Sequence, residues 1–356
     1  MNVESFLEEK ALLVDKVIEK YIPRKFAKDS VLFKIAPPVY SYNLETIDKS
    51  IADPIWDILD RGGKRWRPAL FLLICEALGK NEEYCVDFAA IPEVIHNGTL
   101  VIDDIEDSSE LRRGKPCTYK LYGLDISVNV GNAMYYMPLL ALMTKEAKLS
   151  AEVCCGVYEV YVQEMINLSL GQAMDIAWHR GLANADNISE EDYLQMCAYK
   201  TGTLARMAAK IAAVVSDADK NLVDKLGRFA ESIGVAFQMQ DDILDLTGQE
   251  FAKKKGGVGQ DITEGKRTLM VIYTLKNACE TDKKRLIEIL NMHTKDQKLR
   301  DEAIMLMQKY QAIKHTAKTA EKIVADSWKE VEPLLPTFKA KEKIKMFSEF
   351  LIKRNM

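Results

Sequence analysis

From residue 43 almost to the C-terminus, apolar side chains recur three and four positions apart, whereas stretches of strict alternation are short and scattered. That spacing is the period of a helix, so the pattern predicts a helical array and an all-α chain. Pro23, Pro37 and Pro38 bracket an irregular or helical N-terminal lead-in over residues 1–42. Gly62-Gly63 separates a helix ending near Asp60 from one starting near Arg67-Pro68, where proline suits a first helical turn. Further breaks are expected at Gly79-Lys80-Asn81, Gly114-Lys115-Pro116, Gly123, 181–187, 217–220 and 248–265. Ser189, followed by Glu190, Glu191 and Asp192, reads as an N-cap with acids in the first turn, opening a helix to about Val215.

The run from Ile126 to Thr144 carries no charge, but Asn129, Gly131, Asn132 and Pro138 argue against a membrane span; a helix buried on all sides is expected. No linker composition or short repeat divides the chain. A single domain over 1–356 is therefore expected, with a motif-bearing core at 43–275 and C-terminal helices at 276–356.

Composition narrows the function. Glycine and proline are sparse (18 and 10 of 356), which disfavours a loop-rich β architecture. The net charge of -4 comes from 49 basic and 53 acidic residues intermixed along the chain, so no nucleic-acid-collecting field exists and any anion site must be local. Seven cysteines fit neither a CxxC pattern nor an even disulfide set and read as reduced thiols, and the N-terminus lacks a signal-like apolar stretch; both point to the cytoplasm.

The chemistry sits in one long-range echo, Val101-Ile-Asp-Asp-Ile-Glu-Asp107 against Met239-Gln-Asp-Asp-Ile-Leu-Asp245, each late in a long apolar-periodic helix. Residues four apart share a helix face, so Asp103 with Asp107, and Asp241 with Asp245, place like charges together. A divalent cation neutralises such pairs, and oxygen-only ligands favour Mg2+ or Mn2+ over zinc. Asp104 and Asp242 complete the candidate metal set. One acidic helix end alone is as readily solvated surface; two, interleaved with isoleucine and leucine, are not.

Arg112-Arg113-Gly114-Lys115-Pro116 follows the first acidic segment, and arginine forks grip phosphate oxygens two at a time. A second basic turn, Gly62-Gly63-Lys64-Arg65-Trp66-Arg67-Pro68, offers three cations beside a helix start. Two basic turns suggest two anionic substrates. His96 falls on one helical stripe with Thr99 or Leu100, Asp103 and Asp107. Lys200-Thr201-Gly202 lies inside an otherwise continuous helix, where glycine costs about 1 kcal/mol and marks a local break that could present lysine to a phosphate. Gln238 and Lys266 extend the second cluster, and Lys253-Lys254-Lys255-Gly256-Gly257 could be a basic lid.

Together these residues resemble the trans-type isoprenyl diphosphate synthases, or polyprenyl synthetases, over about residues 43–275, and most closely the geranylgeranyl diphosphate synthases. The family's first aspartate motif with its RRG is matched by Asp103, Asp104, Asp107, Arg112, Arg113 and Gly114, and its FQxxDDxxD by Phe237, Gln238, Asp241, Asp242 and Asp245. Its GGKxxRP turn is matched at Gly62–Pro68, its E-x-x-H at Glu93 and His96, its Lys-Thr pair at 200 and 201, and its D-x-x-x-G-K at Asp261–Lys266. A lysine often found five residues before the Asp261 position is replaced by Gly256. The resemblance implies an antiparallel helical array of isoprenoid synthase fold around a central apolar cavity, usually as a homodimer. It implies about three Mg2+ ions held chiefly by Asp103, Asp107 and Asp241, and an allylic diphosphate attended by Arg112, Lys200, Thr201, Gln238 and Lys266. Isopentenyl diphosphate would lie on Lys64, Arg67, His96 and Arg113. The implied reaction ionises the allylic diphosphate, and the double bond of isopentenyl diphosphate then captures the carbocation, lengthening the chain by five carbons.

Gly98 and Thr99 stand five and four places before Asp103, where makers of shorter products often carry aromatic residues. Both are expected at the cavity wall, giving a twenty-carbon product, with twenty-five or more as the alternative; Met134, Tyr135, Tyr136 or Met137 could form the floor. A terpene cyclase pairs one acidic motif with a different second motif, and a regulatory subunit usually loses an aspartate motif; here both motifs are intact.

Overall fold

In the computed structural model, residues 2–144, 149–182, 184–248 and 257–352 are described. The helices run α1 (Val3–Tyr21), α2 (Asp53–Asp60), α3 (Trp66–Ala77) and α4 (Glu82–Glu106). A hairpin, β1 (Leu111–Arg112) and β2 (Lys115–Pro116), precedes α5 (Leu124–Tyr136), α6 (Ala151–His179), α7 (Glu190–Cys197), α8 (Thr203–Val215) and α9 (Lys220–Thr247). Then come α10 (Gln260–Thr263), α11 (Leu269–Asn277), α12 (Glu280–Asn291), α13 (Gln297–Lys309), α14 (Ala312–Val331) and α15 (Phe338–Ile352). Among the described residues the two short strands are the only β structure, so the all-α expectation holds.

Local signals explain the boundaries. Asn81 caps α4 by accepting the Glu83 N–H, and Ser189 with Asp192 forms a reciprocal capping box on α7. Gly123 at φ 91° turns the chain between a short helical turn and α5. Of the irregular or helical lead-in and the uncharged run, only the second departs from expectation. Part of the N-terminal lead-in is a 19-residue core helix: α1 buries Leu7, Val14, Ile18 and Tyr21 along one stripe, the spacing of an amphipathic face. The uncharged run is neither one helix nor buried on all sides. Pro138 cannot donate a backbone N–H, so α5 gives way to a 3-10 turn at Met137–Leu139, and Val128, Tyr136 and Met143 are 40%, 65% and 51% exposed. The one helix long and apolar enough to cross a membrane, among the described residues, is α4; 67% of its apolar window is buried within the protein.

The chain forms two compact units, each built from three segments. The first comprises 1–160, 207–224 and 335–347; Ile18, Phe71, Phe88 and Phe347 are fully buried in it. The second comprises 161–206, 225–334 and 348–356, with a core that includes Ile243, Met270, Leu286, Ile289 and Met307.

Candidate active site

In the first unit, α4 delivers its partly exposed stripe of His96, Thr99, Leu100, Asp103 and, at the C-cap, Asp107. Asp104 points the other way and is fully buried. Arg112 folds back to donate to Asp104 from Nε (2.8 Å) and Nη2 (2.5 Å), and its Nη2 lies 3.4 Å from Asp103 Oδ2. Asp104 therefore orients Arg112, while Asp103 and Asp107 are partly exposed. Burial pushes the Asp104 carboxyl up from its ordinary value, against the pull of Arg112.

Arg113 and Gly114 form the two-residue turn between β1 and β2, both with positive φ (54° and 77°), matching a type I′ hairpin. This uncommon conformation for arginine aims Arg113 back at the glycine turn. Its guanidinium donates to Gly62 O and to Asn97 Oδ1 (3.2 Å), and a Cβ at Gly63 would lie 3.1 Å from Arg113 Nη2. Glycine at 63 makes room for that arginine. The two basic turns are thus one structure, with His96 beside it. Burial, and then the charges of Arg67, Arg113, Arg65 and Arg112, hold His96 well below its ordinary value, so it stays neutral. Burial, opposed by Glu93 and reinforced by Arg65 and Arg112, pulls Arg113 down to about 10. Like charges crowded in this way favour an incoming anion.

Arg65 does not join them. Its guanidinium is buried, donates to Glu93 Oε1 (2.8 Å), Asp15 Oδ1 (3.1 Å) and Leu59 O (2.9 Å), and so anchors the turn from inside. Of the other two cations in that turn, Lys64 is exposed, whereas Arg67 is buried with its guanidinium over the Trp66 ring (4.6 Å). The position of Gly98 also differs from expectation. A Cβ there would lie 2.8 Å from Met134 Cβ and 3.1 Å from Gly131 O, so Gly98 is a crossing point of α4 and α5 rather than an open wall. Thr99, one step round the helix, is partly exposed, and its hydroxyl donates to His96 O (2.7 Å).

In the second unit, the break at Lys200-Thr201-Gly202 is a π-helical segment, Ala198–Gly202, between α7 and α8. Glycines hold it from two sides. A Cβ at Gly171 of α6 would lie 2.3 Å from Lys200 N, and one at Gly234 of α9 would lie 2.7 Å from Gly202 Cα. Lys200 Nζ reaches Asp175 Oδ2 (2.6 Å), and Thr201 donates to Gln238 Oε1 (3.0 Å). Gln238 in turn donates to Asp242 Oδ1 (2.8 Å), and Tyr193 to Asp242 Oδ2 (2.7 Å). Beneath the bulge, the buried Arg206 forks onto Glu164 (2.5–2.9 Å), which also accepts the Thr203 hydroxyl.

Asp241 is partly exposed, whereas Asp242 and Asp245 are 5% and 1% exposed. Burial and the Asp261 carboxylate push Asp242 up to about 7, although Tyr193, Gln238 and Lys266 favour its charge. Lys266 lies 3.7 Å from Asp261 and 2.5 Å from Glu264. A small pocket is lined by Asp242, Asp261, Ile262 and Lys266. Asp175, Tyr193 and Asn97 were missed by sequence reading, since each gains its role only from distant chain segments. The lysines at 253–255 and Gly256 lie outside the described residues.

Partly exposed aspartates late in two helices, with cations and neutral donors grouped beside each, are donor sets of the kind that suit metal ions and phosphate groups. The profile of the Polyprenyl synthetase family matches residues 48–307. The short chain isoprenyl diphosphate synthase of Methanothermobacter thermautotrophicus is 33% identical over 83% of this chain and 88% of its own. The geranylgeranyl diphosphate synthase of Saccharolobus solfataricus is 30% identical over 86% and 91%. Among solved structures, geranylgeranyl pyrophosphate synthetase from Pyrococcus horikoshii superposes with a TM-score of 0.84 at 29% identity, covering both chains completely. The chain belongs to the polyprenyl synthetase family, with the isoprenoid synthase fold, and is a trans-prenyltransferase.

Proposed function

We propose that the protein condenses isopentenyl diphosphate with an allylic diphosphate and releases geranylgeranyl diphosphate, of twenty carbons. The observation that carries this reading is the cation group of the first unit, in which Arg113 folds onto the Gly62 turn beside His96. Together with Lys64 and Arg67 it offers one diphosphate a rigid seat, which suits the substrate that keeps its diphosphate, isopentenyl diphosphate. Arg112, Lys200, Thr201, Gln238 and Lys266 serve the allylic diphosphate that leaves, where fixed cations favour the negative charge that develops.

The donor chemistry fits divalent metal. Asp103 and Asp107 in the first unit, and Asp241 in the second, offer oxygen only and are partly exposed. Such a set suits ions that keep waters and share substrate phosphate oxygens, as Mg2+ does, with Mn2+ a substitute. When bound, about three such ions would supply charge neutralisation of the departing diphosphate. Arg112, held by Asp104, keeps a guanidinium beside Asp103, and the π-helical segment holds Lys200 and Thr201 in place.

We place the enzyme in the cytoplasm, consistent with seven unpaired cysteines, and as a homodimer. The half-exposed Val162, Ile166 and Leu170 form an apolar stripe four residues apart on α6, suited to a second copy. The decisive experiment incubates the purified chain with isopentenyl and farnesyl diphosphates and Mg2+, then separates the dephosphorylated products. A twenty-carbon alcohol is expected. A hydrocarbon from geranylgeranyl diphosphate alone would identify a cyclase, and no turnover with any allylic primer would identify a non-catalytic subunit.

A further inference from the structure

We propose that Asp245 is a positioning residue that latches the Gly259–Lys266 turn onto α9, and is not a metal ligand. The helix α10 begins at Gln260, and its N-cap, Gly259 at φ 77°, has no side chain to satisfy the first-turn N–H groups. A helix start left in this way needs an acceptor from elsewhere. Asp245 supplies it from α9: its Oδ2 accepts the Asp261 N–H (3.1 Å), and its main-chain oxygen accepts the Gly259 N–H (2.9 Å). The residue is 1% exposed, while Asp241, one turn earlier, is partly exposed.

What the latch holds is functional under the reading proposed above. Asp261 O accepts the Lys266 N–H (2.9 Å), and Arg267 Nη1 donates to Gly265 O (2.7 Å). Position therefore passes from Asp245 through Asp261 to Lys266. The second aspartate motif divides its labour: Asp241 is partly exposed, Asp242 joins Tyr193 and Gln238, and Asp245 caps a separate helix.

Latch and ligand respond differently to asparagine. Asparagine ranks with aspartate as a helix cap because its carbonyl oxygen accepts the same N–H, whereas alanine cannot; a metal ligand loses its charge in both. The test compares Asp245→Asn and Asp245→Ala in the full-length protein. Amide hydrogen exchange over residues 257–266 is measured without metal or substrate, and activity as a function of Mg2+ and of allylic diphosphate. In Asp245→Ala the Asp261 amide should exchange about tenfold faster, with KM for the allylic substrate raised and the Mg2+ requirement unchanged. Asp245→Asn should restore both exchange and KM towards wild type. The exchange arm needs no turnover, so it stands even if the proposed substrates are wrong. The proposal is overturned if Asp245→Ala leaves exchange unchanged, or if Asp245→Asn raises the Mg2+ requirement while the amide stays protected. Should Asp245→Ala fail to fold, Asp245→Asn decides alone: protection with unchanged Mg2+ dependence supports the latch, and any other result removes it.

Discussion

Replacing Gly171 by alanine tests whether the π-helical segment is a positioned catalytic element or merely a tolerated irregularity. The new Cβ would sit 2.3 Å from Lys200 N, 2.6 Å from Tyr199 C and 2.8 Å from Tyr199 Cβ. Ordinary carbon contacts need about 3.5 Å, so α6 and the bulge must part by about 1 Å, and two of the three obstacles are backbone. Overpacking of this kind costs about 1–3 kcal/mol. Alanine returns about 1 kcal/mol through helix propensity, so the net loss of stability is about 0–2 kcal/mol. Catalysis should suffer more, because a displacement of about 1 Å at positioned groups can cost about 100-fold. Lys200 and its partner Asp175, one turn beyond Gly171, would separate together.

The expected signature is thus a large fall in kcat/KM with a small fall in Tm, read by product formation and thermal unfolding on the same preparation. Gly156→Ala is the control. It lies on the same helix with the same propensity gain, and its Cβ meets only the Val214 methyls, at 3.0 and 3.9 Å, groups that can yield. A Gly171→Ala enzyme within about threefold of wild-type kcat/KM would refute the argument.

The buried pair of Arg65 and Glu93 should be far more costly to break than to remove. Glu93→Gln is expected to lose about 3–5 kcal/mol in denaturant unfolding, and Arg65→Met with Glu93→Leu to recover much of it; a loss below about 1 kcal/mol would show that the pair is not structural. Thr99→Phe should shift the product from twenty to fifteen carbons on chromatography, whereas Gly98→Phe should chiefly lower Tm, because its side chain meets the α5 backbone; unchanged product from a folded Thr99→Phe enzyme removes that position from the cavity wall. For Asp242, the raised value means that the native state holds a proton the unfolded chain has released between pH about 4 and about 7. The associated stability is present below that window and lost as pH rises through it, so Asp242→Asn should flatten the pH dependence of Tm of the metal-free protein by about one proton; an unchanged slope would place the titration elsewhere.

Much of the site was legible because its markers are local. Gly202 inside a helix announced a break, and the capping pattern at Ser189 announced a start. The spacing of Asp103 and Asp107 announced a shared face, since a helix repeats every three to four residues. What the sequence could not show are pairings made by distant segments. Arg65 looks like Lys64 and Arg67 until Glu93 and Asp15 are found around it. Gly98 looks like open space until α5 is set against α4. Asp245 looks like Asp241 until the Asp261 amide is placed on its carboxylate. Neither the break at Pro138 nor the apolar exposure around it was read from the uncharged run, because hydropathy reports composition rather than neighbours.

A π-helical segment is geometrically a helix with one residue too many. Removing any single residue between Ala198 and Gly202 would let α7 and α8 fuse into regular α-helix with their faces still aligned, because five π-helical residues turn the chain about as far as four α-helical ones, and only the bulge itself would be lost. Lys200 and Thr201 could not both keep their bearings towards Asp175 and Gln238. The number of residues in this segment, as much as the identity of Lys200 and Thr201, is therefore something the enzyme must keep.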